Sequence, residues 1–251
     1  MRLLVILCVL ALGFAGSAEA QRSMAKGLTS VELQSVGKRD RIARVQFPDG
    51  TRGERFILKA GDCPRVTGDC NADRERVEFF EGGRAPQPVG SEVWLAWSVM
   101  VDPSAPARPR TSMILGQFHQ RGTSGPVILF QVIDGRYEIK MTDPYRLDDD
   151  PMNPIPDFRN IGLRPYSAMR GGWTRVMVNA RWSRGEDGFI QVWLDGQPAW
   201  RYDGPTVNAN DPVYFKYGVY RSFVSKCGGP CPDFVAYYRD VRRGKSRERV
   251  E

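Results

Sequence analysis

The chain has 251 residues, of which 26 are Gly and 18 are Pro, and its formal net charge is +7. Frequent Val, Tyr, Trp and Phe and the lack of a long amphipathic helix argue for sheet and against a helical protein. No run after the leader reaches the roughly 18 apolar residues a membrane helix requires, so no membrane-spanning helix is expected.

Residues 1–20 read as a secretory signal: Arg2 opens it, 3–14 are apolar, and Ala18-Glu19-Ala20 precedes Gln21 as a cleavage site. Removing it leaves the net charge unchanged, because Arg2 and Glu19 cancel. The expected product is soluble, monomeric and exported, to the periplasm or the exterior. A basic exported protein suits a polyanionic partner, although solubility alone accounts for charge equally well. The remaining residues, about 230, suit one large domain. Residues 21–40 read as a loosely held polar lead-in, 41–244 as the domain and 245–251 as a charged, solvated tail.

Strand-like runs recur at 41–47, 55–58, 74–80, 93–101, 112–119, 127–133, 137–141, 174–182, 189–194, 213–220 and 234–241. Ile133-Asp134-Gly135-Arg136 and Leu194-Asp195-Gly196-Gln197 read as hairpins. Short strands at this spacing indicate a sandwich or barrel. Trp94, Trp97, Trp182 and Trp193 read as core. Residues 102–110 and 142–172 break the rhythm as Pro-containing loops. The second carries Asp148-Asp149-Asp150, a solvated acidic turn that leaves room for a structural calcium but lacks a spaced ligand pattern.

Cys8 belongs to the leader, and Cys63, Cys70, Cys227 and Cys231 remain. The favoured pairing joins Cys63 to Cys70 and Cys227 to Cys231, each closing a small Gly/Pro-containing loop. A zinc thiolate site is the competing reading, disfavoured in an oxidising compartment. No other metal site is indicated.

The chemistry lies in alternation. In Gln117-Phe118-His119, Gln117 and the single histidine of the chain share one face while Phe118 takes the other. In Tyr214-Phe215-Lys216-Tyr217-Gly218-Val219-Tyr220, Tyr214, Lys216 and Tyr220 share one face. Arg74, Arg76 and Glu78 point together, as do Arg175, Asn179 and Arg181. Each strand alone is explained by a solvated sheet face, Tyr as a favoured strand residue, and Arg74 and Arg76 pairing with Glu75 and Glu78. Together they supply donors and proton-transfer groups suited to carboxylates and hydroxyls.

The two segments Gln117-Phe118-His119 and Tyr214–Tyr220 resemble the paired signature of jelly-roll polysaccharide lyases. Alginate lyases carry a similar Gln-x-His and Tyr-Phe-Lys-x-Gly-x-Tyr, and the surrounding Trp/Gly segments resemble the heparin-lyase-I-like and glucuronan-lyase-like group. The resemblance covers most of residues 40–244. It implies an all-β, concanavalin-like jelly roll of two antiparallel sheets, whose concave sheet binds an acidic, uronate-containing polysaccharide and cleaves it by β-elimination. It further implies that Gln117, with Arg74 or Arg76, neutralises the uronate carboxylate, that His119 or Tyr220 takes the C5 proton, and that Tyr220 protonates the leaving oxygen. Lys216 would help Tyr220 ionise, and Tyr214, Arg175 and Asn179 would contact substrate. No cofactor is required. The Arg-x-Glu-Leu-Arg segment of alginate lyases has its nearest match in Arg74-Glu75-Arg76-Val77-Glu78, which lacks the second arginine.

Three rivals are weaker. A glycoside hydrolase needs two carboxylates flanking the bond, and no Glu-x-Asp-x-x-Glu pattern occurs. Nucleic-acid binding lacks a recognition motif. A lectin-like binding module would keep the basic aromatic face without needing His119 and Tyr220 together.

Overall fold

The computed structural model describes residues 22–82, 87–122, 126–142 and 160–251; the leader and Asp148-Asp149-Asp150 lie outside them. In chain order the strands are β1 (Val31–Gln34), β2 (Ile42–Gln46), β3 (Arg52–Leu58), β4 (Arg74–Glu81), β5 (Glu92–Val101), β6 (Ser112–Gln120) and β7 (Pro126–Ile133), followed by β8 (Arg136–Met141), β9 (Ile161–Pro165), β10 (Thr174–Arg181), β11 (Phe189–Leu194), β12 (Gln197–Asp203), β13 (Val213–Ser222) and β14 (Phe234–Gly244).

They form two seven-stranded sheets, β1-β4-β13-β6-β7-β8-β9 and β12-β11-β10-β5-β14-β3-β2, each antiparallel between neighbours. This is the β-jelly roll expected from the alternating strands. Asp134-Gly135 and Asp195-Gly196 turn their hairpins with positive φ at both residues, the geometry that matches strand twist. Between the sheets lie Trp97, Trp182, Phe56, Phe79, Phe118 and Phe215, all essentially inaccessible. Each such side chain contributes roughly 1.5–3 kcal/mol by leaving water. The two local disulfides, Cys63–Cys70 and Cys227–Cys231, are formed, which removes the zinc reading.

Two slips in the pleat set the polar face of the first sheet. In β6 the pairing with β7 shifts between Ile114 and Gly116. Leu115 and Gly116 both point inward: Leu115 is core, and a Cβ on Gly116 would sit 3.1 Å from the Trp97 ring. In β13 the pairing with β6 shifts between Tyr217 and Tyr220. Gly218 there has φ 130°, and a Cβ would lie 2.4 Å from the Val77 carbonyl oxygen, so only glycine fits. The buried Tyr238 hydroxyl reaches the Leu115 and Gly218 carbonyls at 2.7 and 2.6 Å, tying both slips to the opposite sheet.

The structure corrects four expectations. The lead-in is docked rather than loose: β1 pairs with β4, and the Met24 amide donates to Glu54 at 2.7 Å. The tail is anchored by Val250, which is buried against Ala96, Met177 and Trp193 on the outer face of the second sheet. Trp94 and Trp193 stack at 5.4 Å on that same outer face and do not belong to the core between the sheets. The stretch read as one loop over 142–172 contains β9, which pairs with β8.

Candidate active site

β4, β13 and β6 are neighbours, so their outward residues form one patch. The register sets Tyr214 opposite His119, Lys216 opposite Gln117, Tyr220 opposite Arg76 and the bare Gly218 opposite Glu78. The patch lines a groove of about 540 Å³, a size suited to a ligand site, that also takes in Arg74, Ser112, Gln131 and Lys140.

Glu78 is the centre of the patch. It is fully buried and accepts Gln117 Nε2 at 2.7 Å, Lys216 Nζ at 2.8 Å and Arg76 at 3.2 Å. From its place opposite Gly218 the carboxylate reaches Lys216 on β13 and Gln117 on β6. Asp69, also fully buried, grips Arg76 with both oxygens at 2.5 and 2.7 Å. It sits in a short 3-10 turn beside Cys70, so the disulfide loop delivers it to the sheet. Two carboxylates thus offset two buried cations, while Arg74 remains exposed at the groove wall.

The proton-transfer groups are tuned mainly by burial. His119 is pulled down to about 4 by burial, against the raising effect of its bond to the Gln120 carbonyl. That bond, 2.9 Å from Nδ1, fixes the proton on Nδ1 and leaves the Nε2 lone pair available. The imidazole stacks on Tyr214 at 5.3 Å between centroids. Tyr220 is pushed above the ordinary phenol value by burial, although Arg74 and Arg76 pull the other way. The Arg76 guanidinium lies 4.3 Å from the centre of its ring. Burial likewise lowers Lys216 despite Glu78, whereas for Arg76 Glu78 and Asp69 overcome burial and raise the pKa. The expectation that Lys216 helps Tyr220 ionise fails, because Lys216 is committed to Glu78 and burial dominates at the phenol.

Of the residues singled out in the sequence, Gln117, His119, Tyr214, Lys216, Tyr220, Arg74 and Arg76 converge on the groove. Arg175 and Asn179 do not. They lie on the outer face of β10 in the second sheet, since Val176, Val178 and Ala180 take the inner face. Arg175 bonds the Asp240 and Val250 carbonyls, and Asn179 donates to Glu92 and the Val93 carbonyl. Both hold the tail and strand edges together and are withdrawn as substrate contacts. Sequence reasoning had Glu78 on the correct face and gave it only a pairing role. It missed Asp69, whose one signal was its place beside a disulfide cysteine. Among the described residues no cluster of three His, Cys, Asp or Glu side chains is arranged to hold a metal ion.

A family model described as polysaccharide lyase matches residues 21–242. Among solved structures, an endo-β-1,4-glucuronan lyase from the fungus Trichoderma reesei aligns with TM-score 0.66 and 18% identity over 89% of this chain and 93% of its own. An alginate lyase of polysaccharide lyase family 7 aligns with TM-score 0.54 and 15% identity over 80% of each chain. An alginate lyase from Pseudomonas aeruginosa gives TM-score 0.52 and 18% identity over 81% of this chain and 86% of its own. No curated protein matches by sequence.

Proposed function

The chain belongs to the polysaccharide lyase family, and from that premise we propose that it is an exported enzyme that cleaves a uronate-containing polysaccharide by β-elimination. The observation that carries this reading is a neutral imidazole with a free Nε2 and a protonated phenol on one polar groove face. His119 is the base and Tyr220 the acid. His119 Nε2 removes the C5 proton of the uronate; its electron pair forms the C4–C5 double bond as the C4–O bond breaks. The departing oxygen takes the Tyr220 proton. Removal of the C5 proton builds negative charge on the uronate carboxyl, so donors aimed at it matter most in the transition state. Gln117, oriented by Glu78, and the exposed Arg74 fill that role, with Arg76 holding Tyr220 from above. The product carries an unsaturated uronate end, and its ultraviolet absorbance on a panel of uronate glycans is the direct test. A parent protein that produces none from any of them sinks the proposal.

The leader at 1–20, the paired cysteines and the absence among the described residues of a helix able to cross a membrane fit export.

The chemistry needs no metal or organic cofactor, since base, acid and carboxyl donors are all side chains. Treatment with a chelator is expected to leave turnover of the preferred glycan within about twofold, far below the 10²-fold scale of a lost acid or base. Complete, metal-reversible loss with the fold intact would overturn it.

The pH profile follows from the same tuning. Protonating His119 removes the base, so kcat/KM is expected to hold down to an acidic limb near 4 and to fall below it. The alkaline limb belongs to Tyr220 and lies above the ordinary phenol range. An acidic limb at the ordinary histidine value would show that His119 is not the desolvated base. Stability has the same sign. The folded pKa lies below the unfolded value of 6.5, so the protein loses about 3 kcal/mol as pH falls from 6.5 through 4.

A further inference from the structure

Beyond Tyr220 the groove changes character. Among the described residues two large apolar side chains are exposed, Val66 at 93% and Phe223 at 50%. Single exposed apolar residues mean little, but both of these line the groove. Phe223 is also held in the left-handed region, at φ 63° and ψ 48°, which a bulky residue adopts only under constraint. The constraint is visible. Asp73, itself at φ 58°, accepts the Val224 amide at 3.2 Å on its carbonyl, and its carboxylate accepts the Ser225 amide and hydroxyl, each at 2.7 Å. Val66 lies within the loop closed by Cys63–Cys70, and Cys227–Cys231 closes the turn that follows Phe223 in the chain. Strained backbone thus presents an aromatic ring to water instead of burying it.

The surrounding charge specifies the occupant. Arg74 is exposed and flanks the site, since its register partner Ser222 precedes Phe223. Exposed Lys226 places its ammonium 4.4 Å from the centre of the Phe223 ring. A ligand that satisfies both features has an apolar face and an adjacent negative charge, which describes a uronate pyranose with its axial C–H face and carboxylate. We propose that Phe223 and Val66 form a sugar-ring platform for a uronate unit neighbouring the cleaved one, with Lys226 meeting its carboxylate. The platform deepens, and rests on, the uronate reading above.

Phe223→Gly tests it, because glycine takes a positive φ without strain. With polyglucuronate and alginate as probes, KM is expected to rise about tenfold, the scale of one aromatic contact. Thermal stability should be equal or higher, and kcat should stay within about twofold, since Phe223 does not touch the reacting atoms. Phe223→Trp should keep KM near the parent value. An unchanged KM in Phe223→Gly, or a glycine variant that melts lower or fails to fold while Phe223→Leu keeps parental KM, overturns the platform and makes Phe223 a structural residue. Direct binding to the same glycans, with a neutral glucan as control, separates the two readings. A parent that binds but releases no unsaturated product, with binding weakened by Phe223→Gly, keeps the platform and removes the lyase reaction. A parent that cleaves with KM indifferent to Phe223 does the reverse, and one that neither binds nor cleaves overturns both.

Discussion

Tyr220→Phe is expected to lower kcat at least about 10²-fold, the lower end of what general acid–base catalysis contributes. The substitution removes one oxygen and keeps the ring that lies under Arg76 at 4.3 Å, so the strand, its packing and the groove shape should persist. Glycan affinity should change little, because the lost proton acts as the C–O bond breaks and not in the ground state. Tyr214→Phe is the matched control. Tyr214 shares the face and its phenol is also raised by burial, but its ring is stacked on His119 and paired with it across the strands. Its loss should alter the setting of the base and leave the acid in place, a smaller effect. If Tyr220→Phe turns over like the parent while Tyr214→Phe is dead, the acid has been assigned to the wrong phenol. His119→Ala should also cripple turnover, and Gln117→Ala should weaken both turnover and binding.

How far the sequence could be read depended on the kind of information each feature needed. Alternation is local, so the faces of β4 and β13 were legible, as were the Asp-Gly hairpins. The pattern survives the β13 slip because the register of β13 with β4 runs on unbroken through Gly218. In β6 the slip at Leu115-Gly116 changes the phase, so Ser112 and Ile114 line the same groove as Gln117 and His119 although their spacing denies it. Period 2 states which residues share a face and is silent on which sheet that face belongs to. Arg175 and Asn179 failed for this reason: the outer face of the second sheet also carries polar side chains, beside its own apolar cluster. Strands β1, β9 and β12 were missed because they are short or carry Gly and Pro, and neighbouring strands supply the pairing that propensity does not. Val250 was hidden in a charge run, since a single apolar residue has no period.

The second large effect is expected at Glu78. Breaking a buried ion pair by removing one partner costs about 3–5 kcal/mol, because the abandoned charge stays out of water. Glu78→Gln leaves Lys216, whose side chain is 4% exposed, without its anion, whereas Arg76 keeps Asp69. Lys216 already has a lowered pKa from burial, so the variant should respond by releasing that proton. Denaturant unfolding should show a loss of about 3 kcal/mol at neutral pH, shrinking as pH rises and Lys216 becomes neutral in the folded state. Turnover should fall as well, since Gln117 loses the acceptor that orients its amide. Adding Lys216→Met removes the stranded charge and should restore most of the stability without restoring turnover. That double variant keeps the test alive should Glu78→Gln fail to fold. A Glu78→Gln protein as stable as its parent, with an unaltered pH dependence, would mean that the buried carboxylate is not charged and that the groove is not organised around it.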